Sequence, residues 1–587
     1  MPDRIMETTG ERHIPSVAMS LTSTLVTHTG SWKFSRPVYH DRVAPCNQGC
    51  PVGIDIEGYM NLLREDRVAE ARDLLLAENP MPAVTGRVCH HPCERACNRR
   101  LFDGAVAIHA VERVLGDMSH GEASPAASAA RHHERIAVVG SGPAGLACAY
   151  HLARFGYQVT VFEAAPQAGG MLRLGIPEYR LPRAVLDRDI ERIAAQGVTI
   201  ACGTRVDSNA AWNKLLSTFS AVCVATGAHA SRTLGVAGED LPGVRTGLEF
   251  LREINGGGRP DLGRNVVVVG GGNTAMDCAR AALRLGASVR VAYRRTRDEM
   301  PAIGDEVEEA LGEGAHISFL ANPVEFVATG GRVSGVVCER MELGEPDASG
   351  RRRPMPTGER FTIPADTVLT AIGESATLDG LPADVSRSGS GVPVDAVGRT
   401  SRASLFAGGD VTDLERTVAD ALGAGKRAAI GIDRHLRAIA PDHQHGAVPD
   451  SLRFGGGNVS AARWRGRDPV NRVAPVNEVV GFDDLNLHHF AAVPGQAEGH
   501  LASALGRARF DEVNLGFTPA QAMAEAHRCL NCGTCTQCDV CLIFCPDAAI
   551  THGADGAYEI AVDYCKGCGI CVAECPRGAI TMTRDKT

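Results

Sequence analysis

The feature that most constrains this chain is a series of closely spaced cysteines near its C-terminus. Ten of the 20 cysteines in its 587 residues fall between Cys529 and Cys575. Two runs share the pattern C-x2-C-x2-C-x3-C-P, and they begin at Cys535 and Cys565. Thiolates at such short, repeated intervals are typical metal ligands. This segment is therefore predicted to hold metal centres.

Each run matches the spacing with which bacterial ferredoxins hold [4Fe-4S] clusters. In that pattern three close thiolates bind one cluster, and the fourth reaches across to the other. The predicted ligands are Cys535, Cys538, Cys541 and Cys575 for one cluster, and Cys565, Cys568, Cys571 and Cys545 for the other. A pair of structural zinc sites is the alternative, since C-x2-C also suits tetrahedral zinc. Zinc requires neither the duplication nor the proline after each run, so the pattern favours iron–sulfur clusters.

Composition excludes several classes of function. A net charge of −9 gives no basic surface for nucleic acid. No apolar run approaches the roughly 20 residues that span a bilayer, so no membrane span is expected. So many cysteines outside a short secreted chain indicate metal or redox chemistry in a reducing compartment, and we predict a cytoplasmic location.

A second group of cysteines lies towards the N-terminus. We expect a polar arm over residues 1–40 and a helical domain over residues 41–130. Cys46 and Cys50 precede a helical pattern that closes at Asn79, and Cys89, Cys93 and Cys97 follow it at intervals of four. On one helix that spacing would place three thiols on one face. A few buried thiols in a helical core are the alternative, but the density of cysteines favours further clusters.

A dinucleotide-binding pattern begins after residue 131. An apolar strand leads into Gly140-x-Gly142-x-x-Gly145, a helix that starts with Pro143 and Ala144, and a second strand that ends at Glu163. Such glycines allow a tight turn and close approach to a pyrophosphate, while the acid accepts hydrogen bonds from ribose hydroxyls. Residues 131–250 are predicted to form the first part of an FAD-binding domain.

The pattern is repeated within residues 251–374, which we predict to bind NAD(P). Gly270-x-Gly272-x-x-Ala275, with Asn273 and Thr274 between the glycine and the alanine, opens the helix. The strand that follows ends at Arg294 and Arg295, with no acid. Arginine at this position suits the 2′-phosphate of NADP, although arginines at a strand end are also common on solvated surfaces.

One such fold inserted into the other is typical of a flavin–nicotinamide reductase. The first fold then needs a returning segment, and residues 222–228 and 368–374 are candidates, each a strand followed by glycine. They contribute Thr226 and Gly227 to the predicted FAD site and Gly373 to the NAD(P) site, and the second part of the FAD domain, 375–440, contributes Gly409 and Asp410. The cysteines between residues 131 and 440 are isolated, which argues against disulfide chemistry. A connector over 441–520 leads to the ferredoxin-like domain, 521–587.

Residues 40–440 resemble the small (beta) subunit of bacterial glutamate synthase, a module also present in NADH-dependent ferredoxin:NADP oxidoreductase and dihydropyrimidine dehydrogenase. The stretches that carry the resemblance are CNQGCPVGIDI, GRVCHHPCERACNR, GAVAIHAVER, GSGPAGLACAYHLARFGYQVTVFEA, GGMLRLGIPEYRLP, GGGNTAMDCARAALRLGA and FAGGDV. The implied architecture is multidomain α/β, with a helical iron–sulfur domain, an FAD domain and an inserted NAD(P) domain.

The resemblance also implies site residues. Gly169 to Pro182 would lie beside the flavin, which adds Gly170, Met171 and Arg180 to the FAD site. One N-terminal cluster would be held by Cys50, Cys89, Cys93 and Glu112, where Glu112 as a surface helix residue is the alternative.

The chain departs from the family at the other N-terminal cluster. The family draws a C-x2-C pair for it from upstream, and no cysteine precedes Cys46. The corresponding motif lies instead just before the ferredoxin runs, as Glu525-Ala526-His527-Arg528-Cys529-x2-Cys532. Our hypothesis is that Cys529 and Cys532 fold back to join Cys46 and Cys97. The chain would then hold four clusters that use every cysteine outside residues 131–440.

The tail separately resembles the ferredoxin-like subunit of 2-oxoacid:acceptor oxidoreductases. The first functional hypothesis is therefore an FAD and iron–sulfur subunit of a hetero-oligomer, which passes electrons between a thiamine-dependent 2-oxoacid oxidoreductase and NAD(P). A glutamate synthase small subunit that delivers NADPH electrons to a glutamine-dependent large subunit is the second. A non-catalytic electron-transfer subunit is the third, and the intact GGGNTAMD stretch argues against it. No acid–base residue is required, because the flavin and nicotinamide carry the chemistry.

Overall fold

We describe the chain from a computed structural model that covers residues 34–118, 132–347, 350–378, 380–389, 391–437, 450–466, 476–502, 509–554 and 556–584. Most of the predicted arm over residues 1–40 lies outside the described residues, as does the start of the predicted connector, residues 441–449. All of the chain's cysteines are described.

Two short strands and a helical domain come first. Proline opens three of the short helices, where its missing N–H breaks no hydrogen bond. Asp55 caps another by accepting a hydrogen bond from the Gly58 N–H at 3.0 Å. The apolar helix faces share one core, in which Tyr59 and Met60 are fully buried. The elements are β1 (Ser35–Tyr39), β2 (Arg42–Val43), α1 (Pro45–Gly49), α2 (Ile56–Arg64), α3 (Val68–Glu78), α4 (Pro82–Val88), α5 (Pro92–Ala96) and α6 (Ile108–Met118).

The first dinucleotide fold begins with a strand, a glycine turn and a helix, as predicted. Gly140 has a φ of +106° in that turn. A Cβ on Gly145 would lie 1.9 Å from the carbonyl oxygen of Gly140, so only glycine lets the helix approach the strand this closely. The elements are β3 (Arg135–Val139), α7 (Pro143–Phe155), β4 (Gln158–Phe162), α8 (Met171–Leu174), α9 (Arg183–Ala194), β5 (Thr199–Ala201), α10 (Asn209–Thr218) and β6 (Ala221–Val224).

The second dinucleotide fold is inserted after β6. Its elements are β7 (Ala230–Ser231), β8 (Val244–Thr246), α11 (Gly247–Asn255), β9 (Asn265–Val269), α12 (Asn273–Arg284), β10 (Ser288–Tyr293), α13 (Gly304–Gly312), β11 (His316–Phe319), β12 (Ala321–Thr329), β13 (Arg332–Pro346), β14 (Arg352–Pro364), β15 (Thr367–Thr370) and β16 (Glu374–Ser375). A parallel sheet has the order β11-β10-β9-β15-β8, and β12, β13 and β14 form an antiparallel sheet beside it. The two connecting strands β7 and β16 pair with each other where the chain leaves and re-enters the first fold.

Sheet membership differs from the prediction at two places. The sequence makes residues 368–374 a candidate for the returning segment of the first fold, but β15 pairs with β9 and β8 of the second fold. In addition, β8 belongs to this second sheet although it precedes residue 251. Both are short strands next to glycine, and such a strand can add to either sheet, so the local sequence does not distinguish the two folds.

The returning segment consists of β17 (Leu405–Ala407) and α14 (Val418–Leu436). It completes a five-stranded parallel sheet in the order β17-β6-β3-β4-β5. Helix α14 packs tightly on α7, since a Cβ on Gly425 would lie 2.0 Å from the carbonyl oxygen of Ala144. The same helix contacts the helical domain, where a Cβ on Gly423 would lie 2.1 Å from the oxygen of Pro51.

The C-terminal region returns to the start of the chain. Its elements are α15 (Ala461–Trp464), β18 (Val476–Val479), β19 (Gly499–His500), β20 (Asn514–Gly516), α16 (Pro519–Arg528), α17 (Val540–Ile543), β21 (Ile550–His552), β22 (Tyr558–Ile560), α18 (Ile570–Glu574) and β23 (Ile580–Arg584). Strand β18 pairs with β2, and β23 pairs with β1. The ferredoxin-like region thus takes one of its strands from the N-terminus. No described helix has both the length and the apolar character needed to cross a bilayer.

Candidate redox centres

A cavity of about 790 Å³ lies where the two dinucleotide folds meet. Its wall contains all but one of the residues predicted to bind FAD, and the exception, Gly145, lies behind it in the contact between α7 and β3. The predicted residues in the wall are Gly140, Gly142, Pro143, Ala144, Glu163, Gly170, Met171, Arg180, Thr226, Gly227, Gly409 and Asp410.

The cavity wall has the polar character that a dinucleotide requires. A Cβ on Gly142 would meet no described atom within 4 Å, so the backbone at the start of α7 is open to a phosphate group. The Thr226 hydroxyl is buried and has no hydrogen-bond partner among the residues that the structure describes. Glu163 accepts hydrogen bonds from the Ser141 N–H at 2.9 Å and the Ala165 N–H at 2.7 Å, which fixes its carboxylate at the wall. Burial raises the pKa of Asp410. These residues fit FAD.

The second fold presents only part of its predicted NAD(P) residues to this cavity. Asn273 and Thr274 line it, and Gly270, Gly272, Ala275 and Gly373 do not. Gly270 has a φ of +141°, and a Cβ there would lie 2.2 Å from the Ala371 oxygen, so this glycine is required by the turn itself. Within the described ranges, a Cβ on Gly272 would have only Pro301, at 4.0 Å, as a neighbour, which leaves its backbone open.

The two predicted arginines differ in their surroundings. Arg295 is buried, donates a hydrogen bond to Asp347 at 2.6 Å and another to the carbonyl oxygen of Arg352 at 2.8 Å. Its guanidinium is therefore used within the second fold. Arg294 is exposed and is the member of the pair that can meet a ligand phosphate.

Arg180 links the two folds across the cavity. It donates to both carboxylate oxygens of Asp277 on α12, at 3.0 and 2.9 Å, and lies 2.5 Å from Glu306 on α13. Burial raises the pKa of Asp277 to about 6, and the nearby Arg180 guanidinium opposes that rise. The charged Arg180 side chain therefore joins the first fold to two helices of the second.

The structure brings the ferredoxin cysteines together in the two predicted sets. The first ferredoxin group, Cys535, Cys538, Cys541 and Cys575, lines a small cavity of about 20 Å³. The second ferredoxin group is Cys565, Cys568, Cys571 and Cys545. Burial, together with nearby thiols that include Cys568, Cys565 and Cys545, raises the pKa of Cys571 to about 12.

The fold-back hypothesis places Cys529 and Cys532 beside Cys46 and Cys97, and the structure brings these four residues together as the junction group. Burial raises the pKa of Cys46, and the other three thiols are close enough to add to the rise. Helix α16 carries the pair there by packing on α2 and α6.

Glu57 fastens the loop that carries this pair. It accepts hydrogen bonds from Asn531 at 2.9 Å and from Thr534 at 2.8 Å. The Asn98 side chain also donates to the Cys532 sulfur at 3.6 Å. The loop is therefore held to the helical domain by side chains that lie far from it in sequence.

The cavity-side group consists of Cys50, Cys89, Cys93 and Glu112. Glu112 is only 7% exposed, so the surface-residue alternative is wrong. It accepts hydrogen bonds from Asn79 at 2.8 Å and from Thr85 at 2.5 Å, and burial raises its pKa to about 7. Burial also raises the pKa of Cys89, with Glu112 and Cys50 close enough to add to the rise.

Several residues near these groups have no recognisable sequence signal. Val88 and His90, the neighbours of Cys89, line the large cavity. Tyr39 donates a hydrogen bond to the Cys541 sulfur at 3.1 Å from a strand more than 500 residues away. His91, Glu94 and His109 place ligand atoms within 4.8 Å of one another, but His109 is hydrogen-bonded to Glu94 at 2.7 Å. Only the folded chain shows these contacts.

Comparison with known proteins agrees with this organisation. Residues 134–428 match the family described as pyridine nucleotide-disulphide oxidoreductase. Residues 37–123 match dihydropyrimidine dehydrogenase domain II with its 4Fe-4S cluster, and residues 558–581 match the 4Fe-4S binding domain. The fold class predicted from the sequence is confirmed.

Similar proteins cover most of the chain. The beta subunit of NADP(+)-dependent formate dehydrogenase of Moorella thermoacetica is 41% identical over 520 residues, 83% of this chain and 70% of that protein. The beta subunit of NADPH-Fe(3+) oxidoreductase of Geobacter sulfurreducens is 39% identical over 83% of this chain and 75% of that protein. The glutamate synthase [NADPH] small chain of Escherichia coli is 36% identical over 66% of this chain and 87% of that protein.

The fold and the sites define a flavin- and NAD(P)-dependent oxidoreductase with iron–sulfur domains. More narrowly, the chain belongs to the family of the glutamate synthase small chain and of the beta subunits of NADP-dependent oxidoreductases. The resemblance inferred from the sequence is confirmed.

Proposed function

We propose that this chain transfers electrons between NADP(H) and a partner subunit through FAD and four [4Fe-4S] clusters. The observation that carries the proposal is the position of Cys89, because its neighbours Val88 and His90 line the predicted flavin cavity. One predicted cluster site therefore borders the flavin site, and the other three follow it in a continuous series.

The chain itself sets the order of the series. Cys50 of the cavity-side group and Cys46 of the junction group are joined by helix α1. Cys532 of the junction group is followed three residues later by Cys535 of the first ferredoxin group. Three or four residues span at most about 14 Å even when extended, so neighbouring groups are held close. The series ends beside Tyr564, which is 76% exposed and precedes Cys565.

The distances between thiols support clusters rather than zinc. Tetrahedral zinc with Zn–S bonds of 2.3 Å places sulfurs about 3.8 Å apart. Among the described residues, no three cysteines bring their sulfurs within 4.8 Å of one another. Wider sets suit a cluster, whose four metals separate the thiolates.

The residues around the cavity bind and orient. FAD, when bound, would exchange a hydride with the nicotinamide and single electrons with the clusters. The open backbone at Gly142 and the carboxylate of Glu163 would hold its pyrophosphate and ribose. Arg180 would hold the second fold in a fixed orientation relative to the first through its hydrogen bonds to Asp277. Arg294 would contact the 2′-phosphate of NADP.

The proposed partner is another subunit of a hetero-oligomer. The relatives that cover 83% of this chain are named as beta subunits of a formate dehydrogenase and of an Fe(3+) oxidoreductase, and both names specify NADP(H). The assignment of a thiamine-dependent 2-oxoacid oxidoreductase as the partner depends only on the resemblance of the C-terminal ferredoxin-like region. The glutamate synthase small chain covers only 66% of this chain, so its large partner is the second candidate.

The series is tested by interrupting it at each end in the full chain. With NADPH under anaerobic conditions, the wild type is expected to reduce both flavin and clusters. Cys89→Ala should leave flavin reduction intact and prevent cluster reduction, whereas Cys568→Ala should affect only the last cluster. Cys202→Ala, at an exposed cysteine outside all four groups, is the control. Full cluster reduction in Cys89→Ala would refute the proposed order.

The partner is identified by purifying the protein from its own cells without disrupting its complexes. Co-purification of a formate-oxidising, a 2-oxoacid-oxidising or a glutamine-dependent subunit distinguishes the candidates. Electron transfer from that subunit's substrate to NADP+ in the purified complex would establish the assignment.

A further inference from the structure

Side chains of helix α2 approach both N-terminal groups. Glu57, near its start, holds the loop of the junction group through Asn531 and Thr534. Tyr59, two residues later, lies in the hydrophobic core beside the cavity-side group. The helix therefore places one polar side chain towards each predicted cluster.

Tyr59 carries a hydroxyl without a partner in the part of the chain that the structure describes. The side chain is fully buried, and the hydroxyl has no hydrogen bond to any described group. Burying such a group without a partner costs about 1–3 kcal/mol. Phenylalanine would fill the same space without that cost, so a partner outside the described residues would account for the hydroxyl.

The neighbours of this hydroxyl indicate what the partner is. Burial raises the pKa of Tyr59, and the charges near enough to raise it further are those of Glu112, Cys93, Cys46 and Cys50. Three of these four belong to the cavity-side group. A tyrosine hydroxyl also contacts a predicted cluster ligand in the ferredoxin-like region, where Tyr39 donates a hydrogen bond to the Cys541 sulfur at 3.1 Å.

We propose that the Tyr59 hydroxyl donates a hydrogen bond to a sulfur of the cluster held by the cavity-side group. This inference rests on the proposed function, because it requires a cluster at that site. A hydrogen bond to a cluster sulfur stabilises the reduced, more negative cluster and raises its reduction potential. Tyr59 is thus a positioning residue that would set the potential of the cluster next to the flavin.

The test is a potentiometric titration, followed by electron paramagnetic resonance, of full-length wild type and Tyr59→Phe. The signal of the cavity-side cluster is identified as the one whose shape changes in Glu112→Cys. In Tyr59→Phe that signal is expected at a lower midpoint potential, with iron content and the other three potentials unchanged.

Tyr150→Phe is the matched control. Tyr150 is also fully buried, but its hydroxyl donates to the Leu76 oxygen at 2.7 Å, away from the cysteine groups. Its loss should lower thermal stability and leave every cluster potential unchanged.

Other outcomes would overturn the inference. An unchanged potential in Tyr59→Phe at full iron content would exclude the hydrogen bond. A shift confined to the junction cluster would show that the hydroxyl contacts that cluster and not the cavity-side cluster. Iron loss in Tyr59→Phe, with Tyr150→Phe intact, would make the hydroxyl a requirement for assembly rather than for tuning. A wild type that lacks the cavity-side cluster would refute the proposed function as well, and iron analysis of the wild type alone shows that case.

Discussion

Arg294 and Arg295 are adjacent in sequence, and the structure gives them separate roles. Arg295 is bonded to Asp347, so its guanidinium supports the fold, while Arg294 is exposed. A charge-assisted hydrogen bond contributes about 1.5–3 kcal/mol, which corresponds to roughly a 10- to 100-fold change in affinity.

Arg294→Ala is therefore expected to raise the KM for NADPH at least about tenfold and to leave the KM for NADH nearly unchanged. Arg295→Ala should instead lower the melting temperature, because it leaves Asp347 without this partner. Steady-state reduction of an artificial acceptor with each nucleotide measures the first effect. An equal loss with NADPH and NADH in Arg294→Ala would contradict its role at the 2′-phosphate.

Glu112 is buried among three cysteines, and its carboxylate is proposed to complete their cluster site. Glu112→Ala should lower the iron content by about a quarter, since one of four clusters loses a ligand. The control is Glu70→Ala on α3, which removes an exposed carboxylate that is ion-paired with Arg67. Iron analysis per chain gives the answer, and full iron content in Glu112→Ala would show that Glu112 is not a ligand.

Strand β1 supplies the ferredoxin-like region with a strand from the opposite end of the chain. It pairs antiparallel with β23, with Val38 opposite Thr581. The His40 N–H donates to the Ala579 oxygen at 3.2 Å, and the two-residue period of a strand gives the Val38 N–H the same role. The ferredoxin-like region is therefore incomplete without residues 35–39.

Val38→Pro should remove this hydrogen bond and loosen β1, and with it Tyr39 beside the first ferredoxin group. We expect a lower melting temperature and loss of up to about half the iron, that of the two ferredoxin clusters. Val38→Thr keeps the N–H and the β-branched shape, so it should retain both properties. Wild-type iron content and stability in Val38→Pro would show that the region folds without β1.

The sequence predicts structure that depends on neighbouring residues, but it does not predict pairings between distant segments such as that of β1. Gly140, Gly145 and the runs from Cys535 and Cys565 are local patterns, because the turn or the cluster fixes residues only a few positions apart. The pairing of β1 with β23 and the assignment of β15 to the second sheet depend on contacts between distant segments. The burial of Arg295 and the unpartnered hydroxyl of Tyr59 likewise have no local signal.

At the scale of the whole molecule, the proposed function requires the two dinucleotide folds to keep a fixed relative orientation. Arg180 and Asp277 join them as a buried ion pair, and each side chain is 6% exposed. The neighbouring Tyr179 is fully buried under Arg284, whose guanidinium lies 3.8 Å from the ring centroid. The connector also contacts this region, because the Val513 N–H donates to the backbone carbonyl oxygen of Tyr179 at 3.0 Å. Removing the charge of one partner of such a pair costs about 3–5 kcal/mol, since the other remains buried and uncompensated.

Asp277→Asn is therefore expected to loosen the orientation of the second fold and to slow flavin reduction by NADPH about tenfold or more. The clusters lie in other domains, so their iron content and their reduction by dithionite should be unchanged. Glu253→Gln is the control: it removes a partly exposed ion pair with Arg245 inside the second fold, and such pairs contribute about 1 kcal/mol or less. Stopped-flow measurement of flavin absorbance compares the three proteins. A wild-type rate in Asp277→Asn would show that the ion pair does not position the nicotinamide domain, whereas slow flavin reduction together with lost iron would indicate general unfolding instead.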